Sequence, residues 1–327
     1  MVQKILKRSK KMIMKNIVDP VALHEIEKEL TEDKLLRKTN NANNEVYVFT
    51  SHDSPKLMHE VGRLREITFR SAGGGTGKAI DLDEYDYSSE SPHQQLIVWD
   101  PENRDIIGGY RFFIHDNMKK KADPSDMASY DYFYFSDAFT KKYLPHLMEL
   151  GRSFVQPDYQ SRAKGRKSLF ALDNLWDGLG AIVIENPSVK YLFGKVTMYP
   201  QFHKHARSMI IYFMKKHFTD PDGLVIPKKD ISLDIDEDLM QSIFTADNYK
   251  DDYRILSQEV RKIGETIPPL INAYMNLSPT MRTFGTIHNE SFGNVNETGI
   301  MITIRDMYIE KINRHLASYR EDYELGD

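Results

Sequence analysis

The stretch Leu147-Met-Glu-Leu-Gly-Arg-Ser-Phe-Val155 is an apolar segment that carries two opposite charges and is closed by Pro157. An apolar run of this length, bounded by proline, predicts a strand. Side chains alternate between the faces of a regular strand, so Glu149 and Arg152 would point to opposite sides. A bulge at Gly151 would bring both charges to one face. Because buried charges need partners, we expect this strand to border a polar site.

The segments on either side of this strand predict an α/β (mixed α+β) fold, a central mixed sheet flanked by helices. Helical periodicity covers 20–30, 55–70, 167–185 and 202–218, and further strands are predicted at 45–50, 94–99, 106–114 and 190–197. Residues 1–44 form a basic tail and helix, 45–218 the core, and 219–327 a region that packs on the core. Within this last region, 220–252 is expected to be an acidic excursion, followed by a strand at 299–304 and a helix at 305–319.

Composition excludes several kinds of function. The chain has 327 residues, a formal net charge of −4 and no cysteine. It is therefore not a general nucleic-acid binder, and it lacks disulfides, thiolate metal sites and a cysteine nucleophile. No apolar run approaches the roughly 20 residues of a membrane span. These features favour a cytoplasmic protein.

The first fifteen residues are basic, and two interpretations of them stay open. Six cations precede the first acid, Asp19: Lys4, Lys7, Arg8, Lys10, Lys11 and Lys15. One interpretation is a solvated, disordered tail. The other is a peripheral contact with anionic lipid on the inner face of the membrane, where each basic residue contributes about 1 kcal/mol.

Two motifs invite functions that their spacing does not support. Ala72-Gly-Gly-Gly-Thr-Gly-Lys78 resembles a phosphate loop, but Ala72 and Ala79 stand where a Walker motif needs glycine and a hydroxyl residue. We expect instead a flexible loop beside a binding cleft. His203 and His205 lie two apart on a predicted helix and so do not share a face, which argues against a metal site.

Charged residues in apolar contexts mark the candidate site. Arg65 and Phe69 lie four apart on one helix, Asp83 and Asp86 follow the glycine loop, and Arg111 lies inside an apolar strand. A purely structural ion-pair network is the alternative to a functional site.

The order of these residues resembles a known family. Arg65-x-x-x-Phe69, Asp83-x-x-Asp86, Gly109-x-Arg111 and Glu149-x-x-Arg152 resemble the charged signature of acyl-homoserine lactone synthases. The string Glu149-Leu-Gly-Arg-Ser-Phe-Val155 is more similar to the ornithine and glycine N-acyltransferases, often labelled haemolysin-like. Pro268-Pro-Leu-Ile-x-x-Tyr274-x-x-Leu277 is typical of the longer, glycine-associated members. The resemblance spans about residues 56–316.

The resemblance implies a GNAT-like acyl-CoA N-acyltransferase fold and a specific reaction. A fatty acyl group, often 3-hydroxylated, would pass from acyl carrier protein, or from acyl-CoA, to the amino group of glycine or, second, ornithine, giving the lyso form of an aminolipid. No permanently bound cofactor is implied. Two other functions stay open: a signal synthase that acylates S-adenosylmethionine, and a non-enzymatic, membrane-active haemolysin-like protein.

Aminolysis of a thioester assigns provisional roles to the charged residues. Glu149 is the candidate base. Asp83 and Asp86 would hold the acceptor ammonium, and Arg111 or Arg152 its carboxylate. A backbone amide between Arg152 and Val155 would stabilise the oxyanion, while Arg65 and Phe69 would shape the acceptor side.

The segment after the strand predicts where the donor phosphate binds. Arg162-x-x-Gly165 resembles the phosphate loop of acetyltransferases and precedes a predicted helix, whose free N-terminal amides bind anions. Arg162, Gly165 and Arg166 are the candidate phosphopantetheine contacts. Together with Lys164 and Lys167, the two arginines would also suit an acidic carrier protein.

Overall fold

The computed structural model describes residues 14–115, 122–160, 165–229, 231 and 235–319. The helices are α1 Leu23–Glu29, α2 Pro55–Ser71, α3 Glu84–Tyr87, α4 Pro157–Gln160, α5 Arg166–Glu185, α6 Lys204–His217, α7 Glu237–Ile243, α8 Tyr249–Lys262, α9 Pro269–Met275 and α10 Ile309–Ile312. The strands are β1 Leu35–Lys38, β2 Glu45–Phe49, β3 Gln94–Asp100, β4 Asp105–Ile114, β5 Phe133–Phe135, β6 Leu147–Val155, β7 Tyr191–Met198, β8 Val225–Pro227, β9 Arg282–Asn289 and β10 Val295–Thr303.

Eight of these strands form one twisted sheet in the order β1-β2-β3-β4-β6-β7-β10-β9. Its strands pair antiparallel except for β6 and β7, which run parallel from Leu147↔Tyr191 to Leu150↔Gly194. Both strands continue beyond that last pair without further pairing to each other. A gap therefore opens in the middle of the sheet at the end of this ladder.

The strand β6 carries the expected bulge. Gly109 of β4 pairs with Phe154, but Arg111 pairs with Gly151, so β6 holds one extra residue. The left-handed conformation falls on Arg152, with φ 49°, and not on Gly151. Phe154 consequently packs with the α2 side of the sheet, whereas Leu150 packs with the α5 side. The bulge thus reverses which side chains face each side.

The tandem glycines of β4 allow the neighbouring strands to approach closely on both sides. A Cβ on Gly108 would lie 2.3 Å from the backbone oxygen of Phe154, and one on Gly109 would lie 2.6 Å from that of Leu96. Any side chain at either position would separate β4 from its neighbours.

The two faces of the sheet have separate cores. Helices α5, α6, α8 and α9 cover one face, with Leu150, Leu175 and Leu192 in its centre. Helices α1 and α2 cover the other face around Leu57 and Val61. A third cluster, around Phe133 and Phe193, lies beneath the small β5–β8 ribbon.

Most sequence-predicted elements are confirmed within one to three residues, and the corrections lie near the ends of the chain. The first helix begins at Leu23 rather than at Pro20, because Ala22 and not Asp19 occupies its N-cap. The predicted helix 305–319 is only α10 followed by a π-type turn at Asn313–Ala317. The acidic segment 220–252 holds β8 and α7. The strands β1, β5 and β9 were not predicted, and β10 begins at Val295 rather than at residue 299.

The sheet crosses both predicted domain boundaries. β1 comes from the N-terminal part and pairs with β2, while β10 pairs with β7 along eight residue pairs from Asn296↔Met198 to Thr303↔Tyr191. The C-terminal part therefore completes the sheet as well as packing on it. Within the described ranges, no helix has the length and apolar character that crossing a bilayer requires.

Candidate active site

A cavity of about 720 Å³ occupies the gap between β6 and β7 and reaches both faces of the sheet. On the α2 side its wall is polar, and we name this part the charged chamber: Asp83, His93, Arg111, Glu149, Arg152, Lys195, Thr197, Asn289 and Glu297. On the α5 side the wall is mostly apolar, and we name it the apolar arm: Tyr110, Ser153, Tyr159, Ala171, Leu172, Leu270, Ile271 and Tyr274. One continuous space therefore joins two environments of opposite character.

A chain of ion pairs forms one wall of the charged chamber. Arg111 lies 2.5 Å from Asp83 and 3.3 Å from Asp86. Arg152 extends the chain, at 3.2 Å from Asp83 and 2.9 Å from Asp81. At the other end, Arg65 lies 3.2 Å from Asp86. Three cations and three anions alternate, so the wall is close to neutral.

Only some residues of this ion-pair network can contact a substrate. Arg65 and Asp86 are fully buried and do not line the cavity, although Phe69 does. Burial alone would raise the pKa of Asp86, but Arg65 and Arg111 outweigh it and lower that pKa below its ordinary value. Asp86 is therefore an ionised anchor behind Arg111. The contact with an acceptor ammonium that the sequence predicts for it does not fit this position.

Local structure explains how two acids three residues apart are both aimed at arginines. The Asp83 side chain caps α3 by accepting from the Tyr85 N–H, and the Asp86 side chain accepts from the Asp83 N–H. This capping box fixes both carboxylates relative to one turn of helix. The Tyr85 ring packs under the Arg111 guanidinium at 5.6 Å.

Glu149 lies on the chamber wall, but both of its oxygens are engaged. One accepts from the Ala128 N–H at 2.8 Å and the other from the Ser129 N–H at 2.9 Å. Glu149 thus holds the 127–132 segment, whose Asp131 and Tyr132 also line the cavity. The bulge brings Arg152 to the same chamber, as the sequence predicts.

A second charged pair, not predicted from the sequence, lies on the opposite wall. Lys195 of β7 lies 3.0 Å from Glu297 of β10, and its ammonium sits 3.8 Å above the Tyr132 ring. Glu297 also accepts from Asn289 at 2.9 Å and from Thr197 at 3.3 Å. Burial would raise the pKa of Glu297, but Lys195 and Asn289 lower it below its usual range. Lys195, in an otherwise apolar strand, carried the same signal as Arg111.

The chain is similar to known proteins along most of its length. Residues 64–167 match the acetyltransferase (GNAT) domain. A glycine N(alpha)-acyltransferase of Phocaeicola vulgatus is 52% identical over 307 residues, or 94% of each chain. One of Bacteroides thetaiotaomicron is 51% identical over 311 residues, covering 95% of this chain and 92% of its own. The chain belongs to the glycine N(alpha)-acyltransferase family.

Membership of this family makes the protein an acyltransferase with a GNAT fold, as the sequence predicts, and disfavours the non-enzymatic, membrane-active alternative. Among solved structures, FeeM, an N-acyl amino acid synthase from uncultured soil microbes, aligns with 80% of this chain and 93% of its own. Its identity is 10% and its TM-score is 0.40. A similarity of that size has no bearing on the reaction.

The glycine loop at residues 72–78 is not a phosphate site, because its backbone amides already donate to a carboxylate. The Glu66 carboxylate accepts hydrogen bonds from the Thr76 N–H and hydroxyl and from the Gly77 N–H. Those amides are the donors that a phosphate would use. The loop borders the cavity through Ala72, Thr76 and Lys78, as expected, and is tied to α2 rather than free.

The predicted phosphate contacts are only partly described. Gly165 is exposed, has φ 58° and caps α5, which suits a loop that turns into a helix N-terminus. Arg162 and the Arg166 side chain lie outside the described residues. Lys167, predicted to join the basic cluster, points inward instead, with its ammonium 2.8 Å from Asp100 and 2.9 Å from Asn44.

The histidine pair lies at the N-terminus of α6. His203 caps α6 by accepting from the His205 N–H. Across the described ranges, no cluster of three or more histidines and acids is placed to hold a metal ion.

Proposed function

We propose that this protein transfers a fatty acyl group from a phosphopantetheine thioester to the amino group of glycine. The single observation that carries the proposal is the through-sheet cavity, in which an apolar arm opens into a charged chamber. An acyl chain needs the first environment and a zwitterionic acceptor needs the second, because charges bind where they find partners. The names of the two close relatives support glycine as the acceptor.

The chamber offers both signs of charge to the acceptor. Arg111, Arg152 and Lys195 are the cations available to its carboxylate, and a guanidinium can bind it with two parallel hydrogen bonds. Asp83, Glu149 and Glu297 are the anions available to its ammonium. Because each group is already paired, glycine enters by exchanging contacts within existing pairs. That arrangement favours a small acceptor over ornithine.

The donor enters by the loop before α5. Acyl carrier protein and CoA share the phosphopantetheine arm, and the α5 N-terminus with Arg162, Gly165 and Arg166 is the proposed phosphate contact. Acyl carrier protein is the proposed physiological partner, because the basic residues around 162–166 complement an acidic surface. A backbone amide between Arg152 and Val155 is the proposed oxyanion donor.

The product would be an N-acyl amino acid, 3-hydroxylated when the donor is, and amphiphilic. It would partition into a membrane, and the basic residues before Lys15 are the proposed contact with anionic lipid. Those residues, 1–13, lie outside the part of the chain that the structure describes.

The proposal can be tested with purified protein and equal amounts of glycine and ornithine. The donor is acyl carrier protein or CoA that carries a palmitoyl or 3-hydroxypalmitoyl group. Mass spectrometry should detect N-acylglycine in excess of N-acylornithine. The absence of both products with every donor would refute it. Acylated S-adenosylmethionine or its lactone, formed in a parallel reaction in place of N-acylglycine, would favour a signal synthase. Leakage of dye-loaded liposomes without donor would favour a membrane-active protein.

A further inference from the structure

A buried histidine and the candidate base both line the charged chamber. His93 is 3% exposed and its ring stacks on Phe113 at 4.5 Å, with the Tyr85 ring tilted against it at 5.1 Å. Phe113 in turn pairs across the sheet with Glu149, and cross-strand partners are neighbours. Phe113 therefore stands between His93 and Glu149, which reach the same cavity as separate groups.

The hydrogen bonds of His93 fix its tautomer. Nε2 lies 3.0 Å from the Asp126 carbonyl oxygen, which can only accept, so Nε2 carries the proton. In a neutral ring, Nδ1 then presents a lone pair. Among the described residues, Nδ1 has no hydrogen-bond partner. It is also not completely enclosed by the protein. Since His93 lines the cavity and Nε2 is engaged, Nδ1 is the ring nitrogen left to meet a ligand there.

The surroundings keep the ring neutral. Burial lowers the pKa of His93, and Arg111 on β4 lowers it further. Glu149 on β6, Asp86 on α3 and the Asp126 carbonyl act in the opposite direction but do not reverse the shift. His115 contacts the other edge of Phe113 at 4.8 Å and does not line the cavity. At neutral pH the imidazole is therefore available to accept a proton.

Glu149 is less suited to that task. Each of its oxygens already accepts from a backbone amide, and protonating either would break a bond that holds the chamber wall. A neutral imidazole is also a stronger base than an ordinary carboxylate. We propose that His93 Nδ1, rather than Glu149, accepts the proton from the acceptor ammonium. This inference rests on the acyl transfer proposed above.

Proton transfer from the acceptor precedes its attack on the thioester. Nδ1 takes one proton from the ammonium, giving imidazolium and a neutral amine. The amine nitrogen attacks the thioester carbonyl carbon, and a C–N bond forms. The C–S bond then breaks, and its electron pair leaves on sulfur. Of the two protons lost by nitrogen, one ends on the thiolate as thiol and the other is released to solvent when His93 returns to its neutral form.

The test uses the full chain and the glycine assay, with His93→Gln as the main variant. Glutamine can keep a donor near the Asp126 carbonyl but supplies no base. Wild-type kcat/KM should rise with pH through an inflection below about 6.5, since His93 accepts a proton only when unprotonated. His93→Gln should lose about 10²–10⁴-fold in kcat and lack that inflection. His93→Ala should regain activity with added imidazole.

His115→Gln is the matched control, because it changes a buried histidine on the same aromatic ring without touching the cavity; it should keep the inflection. Thermal melting of each variant shows whether a loss of activity comes from unfolding or from the loss of the proton acceptor. Persistence of the inflection in His93→Gln, or its loss only in Glu149→Gln, would overturn the assignment. A wild-type protein that forms no N-acylglycine would refute the proposed function instead.

Discussion

The charged chamber and the apolar arm belong to one cavity but are built in opposite ways. In the chamber, each side chain is held by partners at 2.5–3.3 Å, and the anchor pair Arg65–Asp86 lies entirely outside solvent. In the arm, α5 and α9 supply packed side chains such as Leu172 and Ile271. Replacing one member of a hydrogen-bonded charge network disturbs the other members, whereas apolar packing tolerates changes of shape. We therefore expect the chamber to be strict in its choice of acceptor and the arm to adapt to acyl chains of different length.

The largest effect is expected where the chamber is anchored. Asp86→Asn leaves Arg65 buried with an uncompensated charge, and removing one partner of such a pair costs about 3–5 kcal/mol. Urea unfolding followed by circular dichroism measures this loss. Because the pKa of Asp86 is lowered on folding, the wild type should also lose this contribution as pH falls below about 3.9, the ordinary aspartate value.

Asp137→Asn is the control for that variant, since Asp137 forms an exposed i,i+4 pair with Lys141. It should leave the unfolding free energy almost unchanged, because solvent screens an exposed ion pair. Equal losses in the two variants would contradict the anchoring role of Asp86.

An intermediate effect is expected at the second chamber wall. Lys195→Met removes a cation proposed to contact the glycine carboxylate, and a hydrogen bond to a charged group is worth about 1.5–3 kcal/mol. The KM for glycine should rise by about tenfold or more, with the donor KM little changed. Steady-state kinetics with each substrate varied in turn decide this. Lys190→Met, at an exposed position just before β7, should leave both constants unchanged.

The smallest effect is expected in the arm. Leu172→Trp narrows it and should shift preference from 16-carbon toward 12-carbon donors by about tenfold, equivalent to about 1.4 kcal/mol, because apolar packing adjusts to part of the added volume. Competition between the two donors, followed by mass spectrometry, measures the ratio. Leu169→Trp lies on the same helix but is 74% exposed, and it should not alter the ratio. A collapse of all activity in Leu172→Trp would show that the arm is as rigid as the chamber.

The sequence located the sheet and half of the chamber because both leave local signals. Glu149, Arg111 and Arg152 were recognisable as charges inside apolar strands, and the bulge followed from needing two of them on one face. Lys195 gave the same signal and was missed, while Glu297 falls before the point where its strand was predicted to start. β1 was missed because its four residues, Leu-Leu-Arg-Lys, lack alternation.

His93 gave no local signal, since its proposed role depends on a ring stacked on Phe113 and on a carbonyl 33 positions away. Similarly, the inward turn of Lys167 depends on Asp100, 67 positions upstream. Such contacts are set by how distant segments pack, so composition and periodicity do not reveal them.

Periodicity and the cost of burying charge were enough to predict the mixed α/β sheet, the bulged strand and the opposite charges that must be paired. Packing in three dimensions then sets which of these charges face the cavity. Asp83 and Asp86 look equivalent along the chain, yet packing against α2 buries one as an anchor and leaves the other on the chamber wall. The physical reason is that solvent exposure is a property of the assembled sheet and helices, not of the spacing between residues.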